Sequence, residues 1–262
     1  MRFLFIGDVV GDVGRKALSH ALRQWRDEFA PSVIVVNAEN AAGGRGLTVA
    51  NAMTLFKNGV SVITLGDHAW DQKELSRQFN DYPRILRPFN MPAGIPGFGS
   101  VLLPTPEGLV GVLCLMGRVF MRTGPENPFT YGLAEVERLR REGARAILVD
   151  FHAEATSEKI ALAFHLDGKA SAVLGTHTHV PTADARILPG GTACMTDVGM
   201  CGCRDGVIGR CVADVLYTQT TGLPTKLHIG KWPAVVNGVL VDVDPETGRA
   251  TAISPLNLVV DK

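Results

Sequence analysis

The chain has 262 residues, with 26 Lys and Arg against 26 Asp and Glu, for a formal net charge of +0. That balance excludes a strongly basic nucleic-acid coat and an acidic tail, and 46% hydrophobic with 20% charged residues is ordinary for a globular protein. No apolar run approaches the ~20 residues that span a bilayer: the longest, Leu109–Met116, is strand-sized, and the N-terminal apolar stretch is too short for a signal peptide. The 5 cysteines, an odd number, argue against a disulfide framework and fit a reducing compartment, so a cytoplasmic location is expected.

In chain order, Phe3–Ile6 is a short apolar run. It precedes Val13, Ala17, Leu18, Ala21, Leu22, Trp25 and Phe29, whose offsets trace one face of a helix. Val33–Val36 predicts a buried strand, Leu47–Lys57 a helix, Val60–Leu65 a strand and Gln72–Phe79 a helix. Apolar strands alternating with amphipathic helices predict a largely parallel sheet covered by helices. Ser100–Leu103 and Leu109–Met116 read as a hairpin, and Arg118–Tyr131, with Gly124, Pro125 and Pro128, as a long loop able to act as a lid. A helix over Leu133–Glu142, a strand over Arg145–Phe151 and a helix over Ala155–Leu166 follow. Beyond Ala170 the pattern is mostly short strands with Gly and Pro turns, ending in Val235–Val243 and Ala250–Val260. No repeat, linker or break in composition divides the chain, so one domain over 1–262 is expected.

The chemistry collects just after the apolar runs. Phe3–Ile6 leads into Gly7-Asp8, Val33–Val36 into Asn37-Ala38-Glu39-Asn40, and Val60–Leu65 into Gly66-Asp67-His68. Ala146–Val149 leads into Asp150-Phe151-His152, and Ala170–Leu174 into Gly175-Thr176-His177-Thr178-His179. Ligands of open α/β sheets bind outside the carboxyl ends of the strands. Singly, Asp8 reads as a helix cap, Glu39 and Asn40 as loop residues and His152 as a core histidine. Together they form a carboxylate, amide and imidazole set without thiolate, suited to Fe, Mn or Zn. His177 and His179, two apart on a strand, would face one side and hold neighbouring metals. More than four ligands imply two metals with a bridging carboxylate, a centre that clamps the attacking and leaving oxygens of a displacement at phosphorus.

This ordered series resembles the calcineurin-like metallophosphoesterase superfamily. Gly-Asp-Val-Val-Gly-Asp-Val-Gly-Arg from Gly7, Val-Asn-Ala-Glu-Asn from Val36, Phe-His-Ala-Glu-Ala-Thr-Ser-Glu-Lys from Phe151 and Gly-Thr-His-Thr-His-Val-Pro-Thr-Ala-Asp from Gly175 resemble its bacterial subgroup of YmdB-like cyclic-nucleotide phosphodiesterases. The resemblance covers essentially the whole chain. It implies a four-layer α/β/β/α sandwich in which the later strands form a second sheet. It also implies Asp8, Glu39, Asn40 and His179 on one metal, and a bridging Glu39 with Asp67, His152 and His177 on the other. His68 takes the place of the catalytic acid, and the activity implied is hydrolysis of phosphodiesters such as 2′,3′-cyclic nucleotides by metal-bound hydroxide. Two positions depart from the superfamily pattern: Val10 stands where many members have His, with Asn40 serving instead, and Asp67 stands where Asn is usual.

Asp67 alters the charge. Three carboxylates, a hydroxide and two divalent ions sum to a near-neutral site, whereas Asn at this position would leave a net positive one. With no Arg or Lys inside the five short motifs, a phosphodiester monoanion is the expected substrate, and no stable nucleic-acid partner is indicated; a homo-oligomer is allowed. Cys194, Cys201, Cys203 and Cys211 lack Cys-x-x-Cys spacing and read as free thiols in a Gly-rich loop. Asp71, Asp150, Glu154 and Asp184 can orient histidines, although each alone reads as surface or cap; His20, His165 and His228 read as structural. A dinucleotide-binding reading of Gly7, Gly11, Gly14 and Glu39 fails on glycine spacing and leaves His177 and His179 unexplained. The same residues are also compatible with a phosphatase, an RNA-end phosphodiesterase or a metal-binding scaffold without turnover.

Overall fold

The computed structural model describes residues 1–121 and 124–262. The chain opens with β1 (Arg2–Ile6), β2 (Asp8–Val9), α1 (Gly11–Phe29), β3 (Val33–Asn37), α2 (Val49–Lys57), β4 (Val62–Thr64), α3 (Lys73–Gln78) and β5 (Ile85–Leu86). The middle holds β6 (Ser100–Thr105), β7 (Gly108–Met116), α4 (Pro128–Arg141), β8 (Ala144–His152), α5 (Thr156–His165) and β9 (Ala172–Thr176). The last part comprises β10 (Arg186–Ile187), β11 (Ala193–Met195), β12 (Met200–Cys203), α6 (Val212–Thr221), β13 (Ala234–Val243) and β14 (Ala250–Val260).

Two sheets result. The first runs β2-β12-β13-β1-β3-β4-β5, with β14 paired to β13; the second runs β10-β11-β9-β8-β7-β6. β1, β3 and β4 are mutually parallel, as their uninterrupted apolar runs predict, and β5, which no run announced, continues the parallel order. The alternation of β1 shows how the sheets sit. Phe3 and Phe5 share a buried cluster with Val110 and Val112 of β7, Leu148 of β8 and Leu174 of β9. Leu4 and Ile6 point the other way, among Leu18 and Leu22 of α1 and Leu55 of α2. On the far face of the second sheet, Leu113, Leu115, Ile147 and Val149 pack with Leu139 of α4 and Leu162 of α5. The α1 stripe is buried at Ala17, Leu18, Ala21, Leu22 and Trp25, as its spacing predicts.

Three expectations are corrected. The final strands do not belong to the second sheet: β13 lies antiparallel beside β1, with Phe3 opposite Val241, and carries β14 on its other side. Strand partners this distant in sequence leave no local signal. α6 occupies a stretch expected to hold mostly short strands and turns; none of its residues is buried, so it has no core-facing stripe to reveal a helical period. The predicted loop is shorter than Arg118–Tyr131 because α4 starts at Pro128, capped by the Asn127 side chain accepting from the Phe129 N–H. Within the proposed lid, Arg122 and Thr123 lie outside the described residues. No helix among the described residues is long and apolar enough to cross a membrane.

Candidate metal centre

β1, β3, β4, β8 and β9 bring the seven predicted ligands to one edge of the two sheets. Asp8 is fully buried just past β1. Its Oδ2 accepts the His177 backbone N–H at 3.1 Å, while its Oδ1 has no hydrogen-bond partner and lies 3.8 Å from His179 Nε2. A sealed carboxylate oxygen without a donor is costly unless positive charge completes it. Burial pushes the Asp8 carboxyl up to about 7, against the pull of His179 and His152. Asn40, also buried, places its amide 3.1 Å from Glu39 Oε1 and 3.2 Å from His179 Nε2. The Ile208 carbonyl, 3.1 Å from His179 Nδ1, takes up that nitrogen and leaves Nε2 facing Asp8 and Asn40.

Glu39 joins this group to a second one, in which donor atoms of Glu39, Asp67, His152 and His177 all lie within 4.8 Å of one another. His152 Nε2 is 3.3 Å from Glu39 Oε1, 3.2 Å from Asp67 Oδ1 and 3.0 Å from His177 Nδ1. The network behind it assigns the tautomer. Thr176 Oγ1 donates to Asp150 Oδ1 at 2.7 Å, so it accepts from His152 Nδ1 at 2.9 Å and leaves Nε2 turned to the centre. Burial opposes a charge on His152, yet the Glu39 and Asp67 carboxylates raise it well above an ordinary histidine. Burial likewise raises Asp67, but the hydrogen bond and charge of His152 outweigh it and hold that carboxyl below its usual range. The carboxylates around His152 Nε2 thus favour positive charge at this place. A side chain at Gly66 has no room, since its Cβ would lie 2.3 Å from His152 Nε2 and 2.4 Å from Glu39 Oε2.

His177 and His179 are not two residues of a strand, as their spacing suggested. β9 stops at Thr176, and both histidines adopt left-handed backbone, with φ of 99° and 69°. A buried ion pair holds the bend: Asp197 Oδ2 accepts from Lys159 Nζ at 2.8 Å, from the Thr178 N–H at 3.0 Å and from Thr178 Oγ1 at 2.7 Å. His68 also lies off the strands, on a turn formed by residues 67–70. Its ring therefore stays beside Asp67, with Nε2 4.0 Å from Asp67 Oδ2 and Nδ1 3.0 Å from Asp71 Oδ2.

Three of the four acidic residues weighed as orienting groups meet a site histidine directly or through a hydroxyl. Asp150 acts through Thr176, Asp71 contacts His68, and Glu154 Oε2 lies 3.1 Å from His177 Nε2. Asp150, read alone as surface or cap, is instead fully buried. Asp184 serves Thr182 and the Thr196 N–H and reaches no histidine of the site. The four clustered cysteines are free, but Cys194, Cys201 and Cys203 lie in strands rather than a loop. The centre opens into two clefts that meet at His68 and His177. One, about 350 Å³, includes Arg210 and Ile208; the other, about 490 Å³, includes Arg45, Asp71 and Phe120. The motifs contained no clamping cation, yet the fold brings two arginines from loops outside them. No motif marked these residues, since their place depends on tertiary contacts such as Arg210 Nη2 donating to the Gly44 carbonyl at 2.5 Å.

The chain matches the family described as YmdB-like protein over residues 4–256. It is 41% identical over 256 residues to a Bacillus subtilis protein named 2′,3′-cyclic-nucleotide 2′-phosphodiesterase, covering 97% of this chain and 95% of that one. The crystal structure of a phosphatase from Mycoplasma pneumoniae superposes with a TM-score of 0.93 at 34% identity, covering 100% and 94% of the two chains. A Thermus thermophilus 5′-nucleotidase precursor, at 15% identity and a TM-score of 0.62, shares the fold over 100% of this chain and 54% of its own.

The Lys159–Asp197 pair yields a prediction. Both side chains are nearly sealed from water, at 4% and 1% exposed, so removing the cation strands a buried carboxylate. Lys159→Met is expected to lower the unfolding free energy by about 3–5 kcal/mol, measured by urea denaturation of the metal-free protein. A loss below about 1 kcal/mol would show that the pair does not anchor the bend.

Proposed function

This chain belongs to the YmdB-like family, and from that premise we propose that it is a phosphodiesterase cleaving 2′,3′-cyclic nucleotides at a centre of two metal ions. The observation carrying this reading is the convergence of carboxylates and imidazoles, with one buried Asp8 oxygen left without a donor. The donors fit such ions: Asp8, Glu39, Asn40 and His179 would hold one, and Asp67, His152 and His177 the other, with Glu39 between them. Carboxylate, amide and imidazole donors without thiolate suit Fe or Mn, and Zn after them. Two cations there would supply Lewis acidity and a nucleophilic water for in-line displacement at phosphorus.

The protein's own side chains account for the rest. Asp8, Glu39 and Asp67 balance most of the positive charge, so that a diester monoanion is favoured over a monoester dianion. Asp71 holds His68 at Nδ1 in a ring that lines the cleft, and in this reading His68 gives a proton to the leaving sugar oxygen as its bond to phosphorus breaks. Phe3 and Phe5 of the first sheet share one core with the second, which supports residues 1–262 acting as one domain. Free cysteines fit work in the cytoplasm. Arg45 and Arg210 favour a second reading, a phosphatase, because they bring positive charge to the clefts that the motifs lacked.

A substrate panel separates these readings. With Mn²⁺ added, 2′,3′-cyclic nucleotides should be hydrolysed faster than 3′,5′-cyclic nucleotides or an aryl monoester, and chelator should abolish the activity. A dominant monoesterase activity would favour the phosphatase, and no turnover would favour a scaffold.

Two variants test the roles. Asp67→Asn should keep both metals and shift the ratio of diester to monoester hydrolysis toward monoesters; an unchanged ratio would refute the charge account. His68→Ala should keep both metals and lose about 10²–10⁴-fold on ribose leaving groups, but much less on nitrophenyl diesters, whose leaving group needs no proton. Equal losses on both, or loss of metal, would remove the acid role from His68.

A further inference from the structure

The larger cleft has a rim residue that packing does not explain. Just past β7 the chain turns at Val119 and Phe120, closed by the Met121 N–H donating to the Arg118 carbonyl at 3.4 Å. Phe120 has a φ of 63°, the left-handed value that a type II turn needs at its third residue and that Gly or Asn usually supplies. The residue is 85% exposed, so neither the backbone strain nor the apolar surface left in water is offset by burial.

The turn is nonetheless firmly held. Glu158, in the first turn of α5 and only 8% exposed, accepts the Arg118 N–H at 2.9 and 3.1 Å and the Val119 N–H at 3.2 Å. Gly117 permits that approach, because a Cβ there would lie 2.5 Å from Glu158 Oε2. A buried carboxylate thus holds the strained turn that carries exposed Phe120 on the wall of the cleft that also contains His68, Asp67 and Arg45. The volume of about 490 Å³ falls within the roughly 300–1,000 Å³ of small-molecule sites. Phosphate and sugar would meet the charged groups of this cleft; Phe120 and Met121 give it an apolar wall that neither requires.

We propose that Phe120 is a nucleobase platform: with the phosphate at the carboxylate–histidine centre and the sugar beside His68, the base stacks on the Phe120 ring. Glu158 is the positioning residue that holds the ring there. This rests on the nucleotide phosphodiesterase reading and assigns its substrate selectivity to one side chain. Stacking tolerates any base, because every base has a π face, so the platform admits all four and favours purines by their larger overlap.

The test compares ligands that differ only in the base. Turnover of 2′,3′-cyclic AMP is measured against the 2′,3′-cyclic phosphate of methyl riboside, and affinity for 3′-AMP against ribose 3-phosphate is measured by calorimetry with Mn²⁺. The wild type is expected to favour the base-bearing member of each pair by about tenfold, the worth of one base–aromatic stack. Phe120→Ala should erase that preference and Phe120→Trp should retain it. A wild type with no preference, or a preference undiminished in Phe120→Ala, would overturn the proposal. If neither cyclic diester is turned over, the phosphodiesterase reading fails on its own; the calorimetric pair then still decides the platform, supporting it when Phe120→Ala loses the preference and overturning it otherwise.

Discussion

Like charge crowded out of water is the constraint around which this molecule is built. Asp8 and Glu39 are buried just past β1 and β3, and Asp67 lies within 4.8 Å of Glu39. Carboxylates so placed repel one another and lack hydration, which makes the arrangement tenable only with positive charge among them. Burial pushes the Asp8 carboxyl up, and the Glu39 and Asp67 carboxylates pull His152 up, both in the direction such crowding dictates. Much of the surrounding architecture keeps the groups in register: Asp150 and Thr176 fix the His152 ring, Lys159 and Asp197 fix the bend bearing His177 and His179, and Gly66 yields space for close approach.

The division of labour between strands and loops follows from that constraint. Groups at the centre come from the ends of rigid, fully buried strands such as β3, where position tolerates little error. Groups at the rim come from connecting segments: Arg45 after β3, Phe120 after β7, and Ile208 and Arg210 after β12. Rim residues on loops can change without disturbing the centre, so a shared fold can serve different phosphate esters. His68 stands between the two zones, lining both clefts while its backbone N–H donates to Glu39 Oε2 at 3.2 Å.

The strands of the first half and their trailing acidic and histidine residues were legible because a strand buried on both faces is apolar throughout, and Asp or His breaks that run at its edge. The α1 stripe was legible for a similar reason, its buried face recurring at the helical period. What the sequence hid depends on contacts distant along the chain. β13 finds β1 across more than two hundred residues, and α6 buries no residue that could betray its period. At the site, residue types were readable but local geometry was not: a His-Thr-His stretch is consistent with a strand until Asp197 bends it. Asp150, an ordinary acidic residue in sequence, acquires its role only when folding sets Thr176 between it and His152.

Metal stoichiometry tests the central claim most directly. Elemental analysis of the purified protein after loading with Mn²⁺ and exhaustive dialysis is expected to give two ions per chain. His152→Ala and His177→Ala are each expected to lose at least one, because each removes an imidazole from the group that contains Glu39 and Asp67. Wild-type protein without bound metal, or metal content unchanged in both variants, would contradict the account.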